Sequence, residues 1–182
     1  MATQYTEIST KHKTFIEQQK IYFVATATES SRINLSPKGM ESLKILNKNR
    51  IIWLNVTGSG NETAAHIQEN PRMTIMFNAF EGNPLILRLY GVAKVIHPSD
   101  VEWGELYSLF TPLPGARQIF DFDVDLVQTS CGMGVPNYDY VGERELLNEW
   151  ARVKGQEGVE KYWVDKNQKS IDGLETNIIK NK

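Results

Sequence analysis

Residues 57–71 constrain the fold of this chain more than any other stretch, because they combine a glycine turn with both ends of a helix. They follow the apolar run Ile51-Ile52-Trp53-Leu54, which predicts a buried strand. Gly58 and Gly60 permit backbone angles that other residues avoid, so a tight turn is expected between the strand and the helix. Asn70-Pro71 ends the helix, because the residue before a proline is disfavoured in helical geometry.

The start of this helix is a candidate anion-binding site. Ser59 followed by Glu62 fits a capping box, and Asn61 is an equally good N-cap. The free N–H groups and the positive end of the helix dipole would then face one point, which suits a phosphate. The stretch matches neither a Walker loop nor the dinucleotide fingerprint. A capped helix after a tight turn, without any ligand, is therefore an equally good interpretation of these residues alone.

Composition bounds the class of protein. The chain has 182 residues, 41% of them hydrophobic and 23% charged, which predicts one globular domain spanning 1–182. A net charge of −2 argues against non-specific binding to nucleic acid and against attraction to an anionic membrane. Cys131 is the single cysteine, so a reducing compartment is expected. With no apolar leader and no apolar run long enough to span a bilayer, the sequence predicts a cytoplasmic protein.

The remaining pattern predicts short strands at hairpin spacing with helices around them. Such spacing favours an antiparallel, closed or nearly closed barrel with helices at its edges. Gly91 interrupts the alternation of one strand and predicts a bulge or a close backbone approach. The predicted strands are 21–27, 32–36, 42–46, 50–55, 73–79, 85–96 and 122–130. The predicted helices are 9–19, 61–69, 97–110 and a C-terminal helical region that starts at about 142, covers 144–164 and breaks near Gly155 and Gly158.

The strand at 32–36 has an unusually polar face. Alternation places Arg32, Asn34 and Ser36 on one face, and Ile33 and Leu35 on the other. A solvated hairpin strand explains this pattern as well as a row of polar groups laid along a ligand does. In the second interpretation Arg32 donates to an anion, and Lys38, just beyond the strand, reaches the same anion.

Four stretches resemble the pyridoxamine 5′-phosphate oxidase-like group of split-barrel flavin-binding proteins. They are residues 23–26 with 32–39 (RINLSPKG), 53–71 (WLNVTGSGNETAAHIQENP), 76–91 (MFNAFEGNPLILRLYG) and 130–136 (SCGMGVP), the last typical of one branch of the group. The likeness covers roughly residues 9–136. It implies a mainly β fold with flanking helices, an antiparallel Greek-key split β-barrel, and a homodimer with FMN at the dimer interface.

The resemblance also assigns residues to the cofactor. The 32–36 strand would lie along the flavin, 53–55 would line its ring or ribityl side, and 61–63 would meet its phosphate. Arg88 would face the flavin of the partner subunit. The expected FMN-binding residues are Arg32, Ile33, Asn34, Leu35, Ser36, Lys38, Trp53, Leu54, Asn55, Asn61, Thr63 and Arg88. No catalytic acid or base stands out, and Arg88 with Tyr90 are the best candidates for contacting substrate or flavin.

Three departures from the oxidases matter for the substrate. Where the oxidases have a basic Arg-Lys pair at the helix start, this chain has Glu62 and Thr63. Where they have a glutamine near the Arg88 strand, it has Ile86. It also lacks their C-terminal Arg-Leu-x-Pro stretch, which binds the substrate phosphate. These departures argue against oxidation of pyridoxamine phosphate itself, and phosphate binding would require Glu62 to point away.

Several other residues are candidates for a functional role. Cys131 is either a nucleophile or, more in keeping with its neighbours, a packing or interface residue. The histidines are too scattered for a metal site, and His66 is expected at the surface or at an edge. Asp121, Asp123 and Asp125 share one face of a strand and are interpreted as a solvated edge rather than a metal site. Core or dimer contacts are expected for Trp103, Trp150 and Trp163.

Three functions follow from these observations. The first is an FMN-dependent oxidoreductase acting on a small molecule, in which the protein supplies binding and orientation for the flavin. The second is a flavin-binding or flavin-storing dimer without turnover. The third, weaker, is a split barrel that binds another ligand in place of flavin.

Overall fold

The computed structural model describes residues 2–179, in which the chain forms eight strands and four helices. The strands are β1 (Thr3–Tyr5), β2 (Tyr22–Thr26), β3 (Asn34–Lys38), β4 (Leu43–Asn47), β5 (Arg50–Val56), β6 (Arg72–Asn78), β7 (Ile86–Ile96) and β8 (Ala116–Ser130). The helices are α1 (Thr10–Gln18), α2 (Glu62–Glu69), α3 (Trp103–Tyr107) and α4 (Leu146–Lys166). The expected mainly β architecture with flanking helices is confirmed.

All strand pairs are antiparallel, in the order β3-β2-β6-β7-β8-β5-β4. The long strand β8 organises the sheet. On one side its residues 119–130 pair with β7, and on the other its residues 116–123 pair with β5 and 127–129 with β1. The start of β8 therefore lies beside the turn after β5, where the Thr57 N–H donates to Gly115 O at 2.8 Å.

Strand β5 is buried on both faces, which explains its continuous apolar run. Ile51 and Trp53 face the main core, where the Trp53 ring stacks on Phe120 with the ring centroids 4.6 Å apart. Ile52 and Leu54 face the opposite way and pack in a second cluster that includes side chains of α3. A central strand covered on both faces loses the polar alternation of a half-exposed strand.

Gly91 lies at the point where the pairing of β7 with β8 changes register, between Tyr90 and Gly91. A Cβ atom at Gly91 would lie 1.9 Å from the carbonyl oxygen of Asp123, so the two backbones touch here. The bulge and the close backbone approach predicted from the sequence are both confirmed.

The C-terminal part of the chain packs back against the barrel. Helix α4 breaks at Gly155, which has a φ of 65°, as the sequence predicts. Its second half places Trp163 in a small core, and the indole Nε1 donates to Thr57 Oγ1 at 2.7 Å. Since Thr57 follows β5 directly, this bond fixes the C-terminal helix beside the glycine turn.

Several element boundaries differ from the sequence predictions. Strand β1 was missed, because its three residues are all exposed and show no apolar alternation. Strand β3 begins at Asn34 rather than Arg32 and runs through Pro37 to Lys38. Strand β8 begins six residues earlier than predicted, where it pairs with β5. The helix predicted over 97–110 is shorter in the structure, where only α3 is helical. Turns occupy 98–102, and Asp100 accepts the His97 N–H at 2.7 Å.

Two side-chain predictions were wrong. His66 is not at the surface but buried on α2, where its Nδ1 lies 3.1 Å from Thr26 Oγ1. Asp121 is not on a solvated edge but buried between β5 and β7, and the Arg50 guanidinium binds it through two contacts of 2.8 Å. Internal strands flank it on both sides, so no solvated edge exists at this position.

The structure also gives the positions of the cysteine and tryptophan candidates. Cys131 is exposed and does not pack in the core of the chain. Trp103, Trp150 and Trp163 all belong to apolar clusters, as expected. Within residues 2–179 no group of three histidine, cysteine or acidic side chains could hold a metal ion. No helix in the same range has the length and apolar character needed to cross a bilayer.

Candidate functional site

A cavity of about 740 Å³ opens where β3, the end of β5, the start of α2 and the C-terminal segment meet. Its size falls within the range of about 300–1,000 Å³ that is usual for small-molecule sites. Residues 32–38 form one wall, residues 55–63 a second, and 166–171 a third. Nine of the twelve predicted cofactor residues line it: Arg32, Ile33, Asn34, Leu35, Ser36, Lys38, Asn55, Asn61 and Thr63.

The start of α2 forms the back of the cavity without the predicted capping box. Asn61 is the N-cap residue, but no side chain within residues 2–179 caps the helix. Glu62 instead turns toward the C-terminal segment, where its carboxylate accepts the Ile171 N–H at 3.0 and 3.2 Å. The start of α2, where no side chain of the described residues caps the helix, therefore keeps its attraction for an anion, while Glu62, which also lines the cavity, is hydrogen-bonded to the backbone of Ile171.

Strand β3 and helix α2 meet through a polar contact. Asn34 Nδ2 donates to Thr63 Oγ1 at 3.1 Å, which joins the polar face of the strand to the first turn of the helix. The next residue on that face, Ser36, has a buried hydroxyl without a hydrogen-bond partner among the described residues. A buried hydroxyl of this kind is free to bind a ligand in the cavity.

Arg32 is not the free anion donor that the sequence suggested. Its backbone N–H donates to Asp172 Oδ2 at 2.8 Å, and its guanidinium forms an ion pair with the same carboxylate. These contacts hold the pKa of Asp172 below its ordinary value. Arg32 thus binds the C-terminal segment to the start of β3, at the rim of the cavity.

Lys38 is a better anion donor than Arg32. Its ammonium group lies over the Trp53 ring, 5.0 Å from the centroid, and no salt bridge within residues 2–179 involves it. Burial, and next the nearby charge of Arg117, lower the pKa of Lys38 to about 8. An anion bound in the cavity would relieve both effects, because it favours the charged form of the lysine.

Arg117 on β8 is a site residue that the sequence did not reveal. Its guanidinium donates to Gly60 O at 3.1 Å and to Asn167 Oδ1 at 2.7 Å, directly beneath the start of α2. Burial lowers the pKa of Arg117 to about 9, so the group remains positively charged at neutral pH. No motif marks it, because it reaches the cavity only through the pairing of β8 with β5.

The C-terminal segment contributes further residues that sequence reasoning missed. Lys166, Lys169, Ser170 and Ile171 line the cavity. They lie beyond the stretches that carried the resemblance, so no pattern linked them to the site. The cavity is therefore more basic than the β3 and α2 residues alone would make it.

Three predicted residues lie outside the cavity in this chain. Trp53 and Leu54 are each 1% exposed and belong to the two cores, so their side chains do not line the cavity, and a contact of either residue with the flavin stays a prediction. Arg88 lies on β7, away from the cavity, and donates to Ser130 Oγ at 3.2 Å. Tyr90 lies two residues further along the same face of β7. A role for Arg88 toward a partner's flavin stays a prediction.

The outer face of β3 is apolar and uncovered. Ile33 is 77% exposed and Leu35 is 63% exposed, and Pro37 follows on the same side of the strand. The free edge of the sheet lies here, because β3 pairs with β2 alone among the described strands. We call Ile33, Leu35 and Pro37 the β3 apolar face.

Together these features define an antiparallel β protein with a basic small-molecule cavity at the start of a helix. A sequence model described as "Pyridoxamine 5'-phosphate oxidase" matches residues 8–131. Since that match covers well over half of the sequence, the chain belongs to the pyridoxamine 5′-phosphate oxidase family.

Individual relatives agree with this assignment. The Aspergillus flavus pyridoxamine 5′-phosphate oxidase family protein ustO is 32% identical over 188 positions, covering 93% of this chain and 76% of that protein. The crystal structure of HupZ from Group A Streptococcus matches with a TM-score of 0.55 and 19% identity, covering 72% of this chain and 99% of that one. A candidate pyridoxamine 5′-phosphate oxidase from Lactobacillus delbrueckii matches with a TM-score of 0.54 and 17% identity, covering 68% of this chain and 94% of that one. At these identities the two structures support the shared fold, and the expected split-barrel architecture is confirmed.

Proposed function

We propose that the protein binds FMN in the cavity between β3 and α2 and acts as a flavin-dependent oxidoreductase on a small molecule. The observation that carries this proposal is the convergence of Lys38, Arg117 and the uncapped start of α2 on one cavity of about 740 Å³. Family membership supports flavin as the ligand. A phosphate monoester is the part of FMN that such a group of donors suits.

The residues of the cavity fit this cofactor. Ser36 and Arg117 line the cavity, and the Ser36 hydroxyl and the Arg117 Nε are buried without a partner among residues 2–179, an unsatisfied state that a polar ligand would relieve. Glu62, the residue least compatible with a phosphate, is held by the backbone of Ile171. Bound FMN would supply the electron transfer, while β3 would orient it and the C-terminal segment would limit the access of water.

We further propose that the protein is a homodimer. The β3 apolar face supports this proposal, because two neighbouring side chains on it are more than half exposed beside the cavity. A second copy covering this face would also shield the ligand. Size-exclusion chromatography with light scattering tests the proposal, and a monomer at micromolar concentration would contradict it.

A flavin titration provides the first test. Wild-type protein is expected to bind FMN with micromolar or better affinity, and Lys38→Met to bind it about tenfold or more weakly, because a charge-assisted contact is lost. The measurement is quenching of flavin fluorescence, with Lys44→Met on β4 as the control variant because Lys44 does not line the cavity. Absence of FMN binding by the wild type would contradict the proposal.

The affinity for FMN is expected to fall as the pH rises from 7 to 8.5. In the empty cavity Lys38 loses its proton at a pH of about 8, so above that pH the binding of a phosphate must first restore the charge. For one linked proton the dissociation constant rises by up to about tenfold per pH unit. The same titration in Lys38→Met should show a flat profile over this range, and a wild-type slope in the variant would assign the effect to another group.

The alternative function is a flavin-binding dimer without turnover, because binding a flavin requires the cavity but no catalytic group. Adding NADH or NADPH to the FMN-loaded protein without oxygen distinguishes the two. Loss of the flavin absorbance at a rate above that of free FMN favours the oxidoreductase. An unchanged spectrum with both donors favours the binding protein.

A further inference from the structure

Arg117 is a buried cation for which the described residues provide no anion. Its side chain is 3% exposed, and both of its hydrogen-bond acceptors, Gly60 O and Asn167 Oδ1, are neutral. None of the salt bridges formed within residues 2–179 includes it, and its Nε has no partner there. Burying an unpaired charge is costly, so this arrangement points to an anion that arrives from outside the chain.

Asn167 orients Arg117 without neutralising it. The amide is completely buried, and its Nδ2 donates to Gly58 O at 3.1 Å while its backbone oxygen accepts from Thr176 Oγ1 at 2.6 Å. These bonds fix the position of Oδ1. An aspartate here would form an ion pair with the guanidinium, whereas the neutral amide leaves the positive charge available.

The unpaired charge lies next to other groups that attract an anion. The charge of Arg117 contributes, after burial, to the lowered pKa of Lys38. Both line the cavity, as do the residues that begin α2. Glu62 also lines the cavity, but its carboxylate accepts the Ile171 N–H and forms no salt bridge with either cation among the described residues. Two cations and a helix start therefore line one cavity.

We propose that Arg117 binds the phosphate of a phosphate-monoester ligand in this cavity, and that Asn167 is its positioning residue. Arg117 takes the place of the basic pair that the start of α2 lacks, reaching the same position from β8 instead of from the helix. This proposal rests on the proposed function when the ligand is FMN. The anion position itself exists whether or not the ligand carries a flavin ring.

The test compares FMN with riboflavin, which differs by the phosphate alone. In Arg117→Gln the affinity for FMN is expected to fall about 10- to 100-fold, the effect of losing a charged hydrogen bond, while riboflavin affinity changes less than about threefold. Arg152→Gln is the control, since its side chain is 58% exposed on α4 and does not line the cavity. Equal losses for the two flavins, or no loss of FMN affinity, would overturn the proposal.

Asn167→Asp gives a second measurement that a purely structural role would not affect. It keeps an oxygen beside Arg117 but adds a negative charge, so FMN affinity should fall more than in Asn167→Ala, with riboflavin affinity nearly equal in the two variants. If both variants lose FMN and riboflavin alike, Asn167 is structural and does not position Arg117 for a phosphate.

Failure of this proposal can be told apart from failure of the proposed function. If the wild type binds neither flavin, the probe becomes inorganic phosphate, and the melting temperature is compared in phosphate and in chloride of equal ionic strength. A phosphate-specific rise that Arg117→Gln abolishes supports the anion site, and an equal response in both proteins overturns it. If Arg117→Gln does not fold, Arg117→Lys, which keeps the charge but changes the geometry, enters the same comparisons and is expected to weaken phosphate binding by a smaller factor.

Discussion

Gly91→Ala is expected to lower the free energy of unfolding by about 3 kcal/mol or more, which is a large fraction of the stability of a domain. The added Cβ would lie 1.9 Å from the Asp123 carbonyl oxygen and 2.9 Å from its carbonyl carbon. Both atoms belong to the backbone of β8, so no side chain can move aside to make room. Relief requires that β7 and β8 separate at the centre of the sheet.

Thermal or urea unfolding measures this effect. For a chain of this length, about 3 kcal/mol corresponds to a melting temperature lower by about 6–12 °C. Gly104→Ala is the matched control, because no atom of the described part of the chain lies within 4 Å of a Cβ at this position on α3. Alanine is expected there to be neutral or to stabilise by up to about 1 kcal/mol. A Gly91→Ala variant that melts within about 2 °C of the wild type would show that the bulge can relax.

Trp53→Ala should lower the free energy of unfolding by about 3–5 kcal/mol, the usual cost of removing a large aromatic side chain from a core. Trp53 is 1% exposed and stacks on Phe120. Its removal would leave a cavity at the centre of the barrel and would also remove the ring beneath Lys38. A weaker affinity for FMN, measured well below the melting temperature, is therefore expected alongside the loss of stability.

Trp103→Ala provides a matched comparison, since Trp103 also stacks on an aromatic ring, that of Tyr107, with the centroids 5.0 Å apart. Trp103 is only half-buried, so its removal is expected to cost about 1–2 kcal/mol. The difference between the two variants isolates the contribution of complete burial. Equal effects would mean that the centre of the barrel collapses around the missing ring.

The fold was largely predictable because its strands carry local signals. The apolar run of β5 and the position of Gly91 depend on neighbours in sequence, and the structure confirms both. Strand β1 carries no such signal, because its residues are exposed. Its extended conformation comes from pairing with the end of β8. The backbone of β8 thus determines the position of β1.

The candidate site was predictable only in part. Residue types alone identified the 32–36 strand, Lys38 just beyond it and the helix start, and all three line the cavity. Arg117 was missed because a single arginine in a strand does not indicate a binding site. Only the fold brings it beneath the start of α2, although it is 57 residues from Gly60 in sequence. The pairing of Arg32 with Asp172 likewise joins residues 140 positions apart, so residue type alone indicated an anion donor where the structure has an ion pair.

Pro37 gives the uncovered edge of the sheet a property that its neighbours do not share. A proline has no N–H to donate, so another extended chain cannot continue the hydrogen-bond ladder along the whole of β3. Exposed edges with apolar side chains are otherwise prone to add strands without limit and to form aggregates. At this edge another molecule can still associate through side chains. Pro37, on the strand that lines the cavity, blocks growth into a continuous intermolecular sheet.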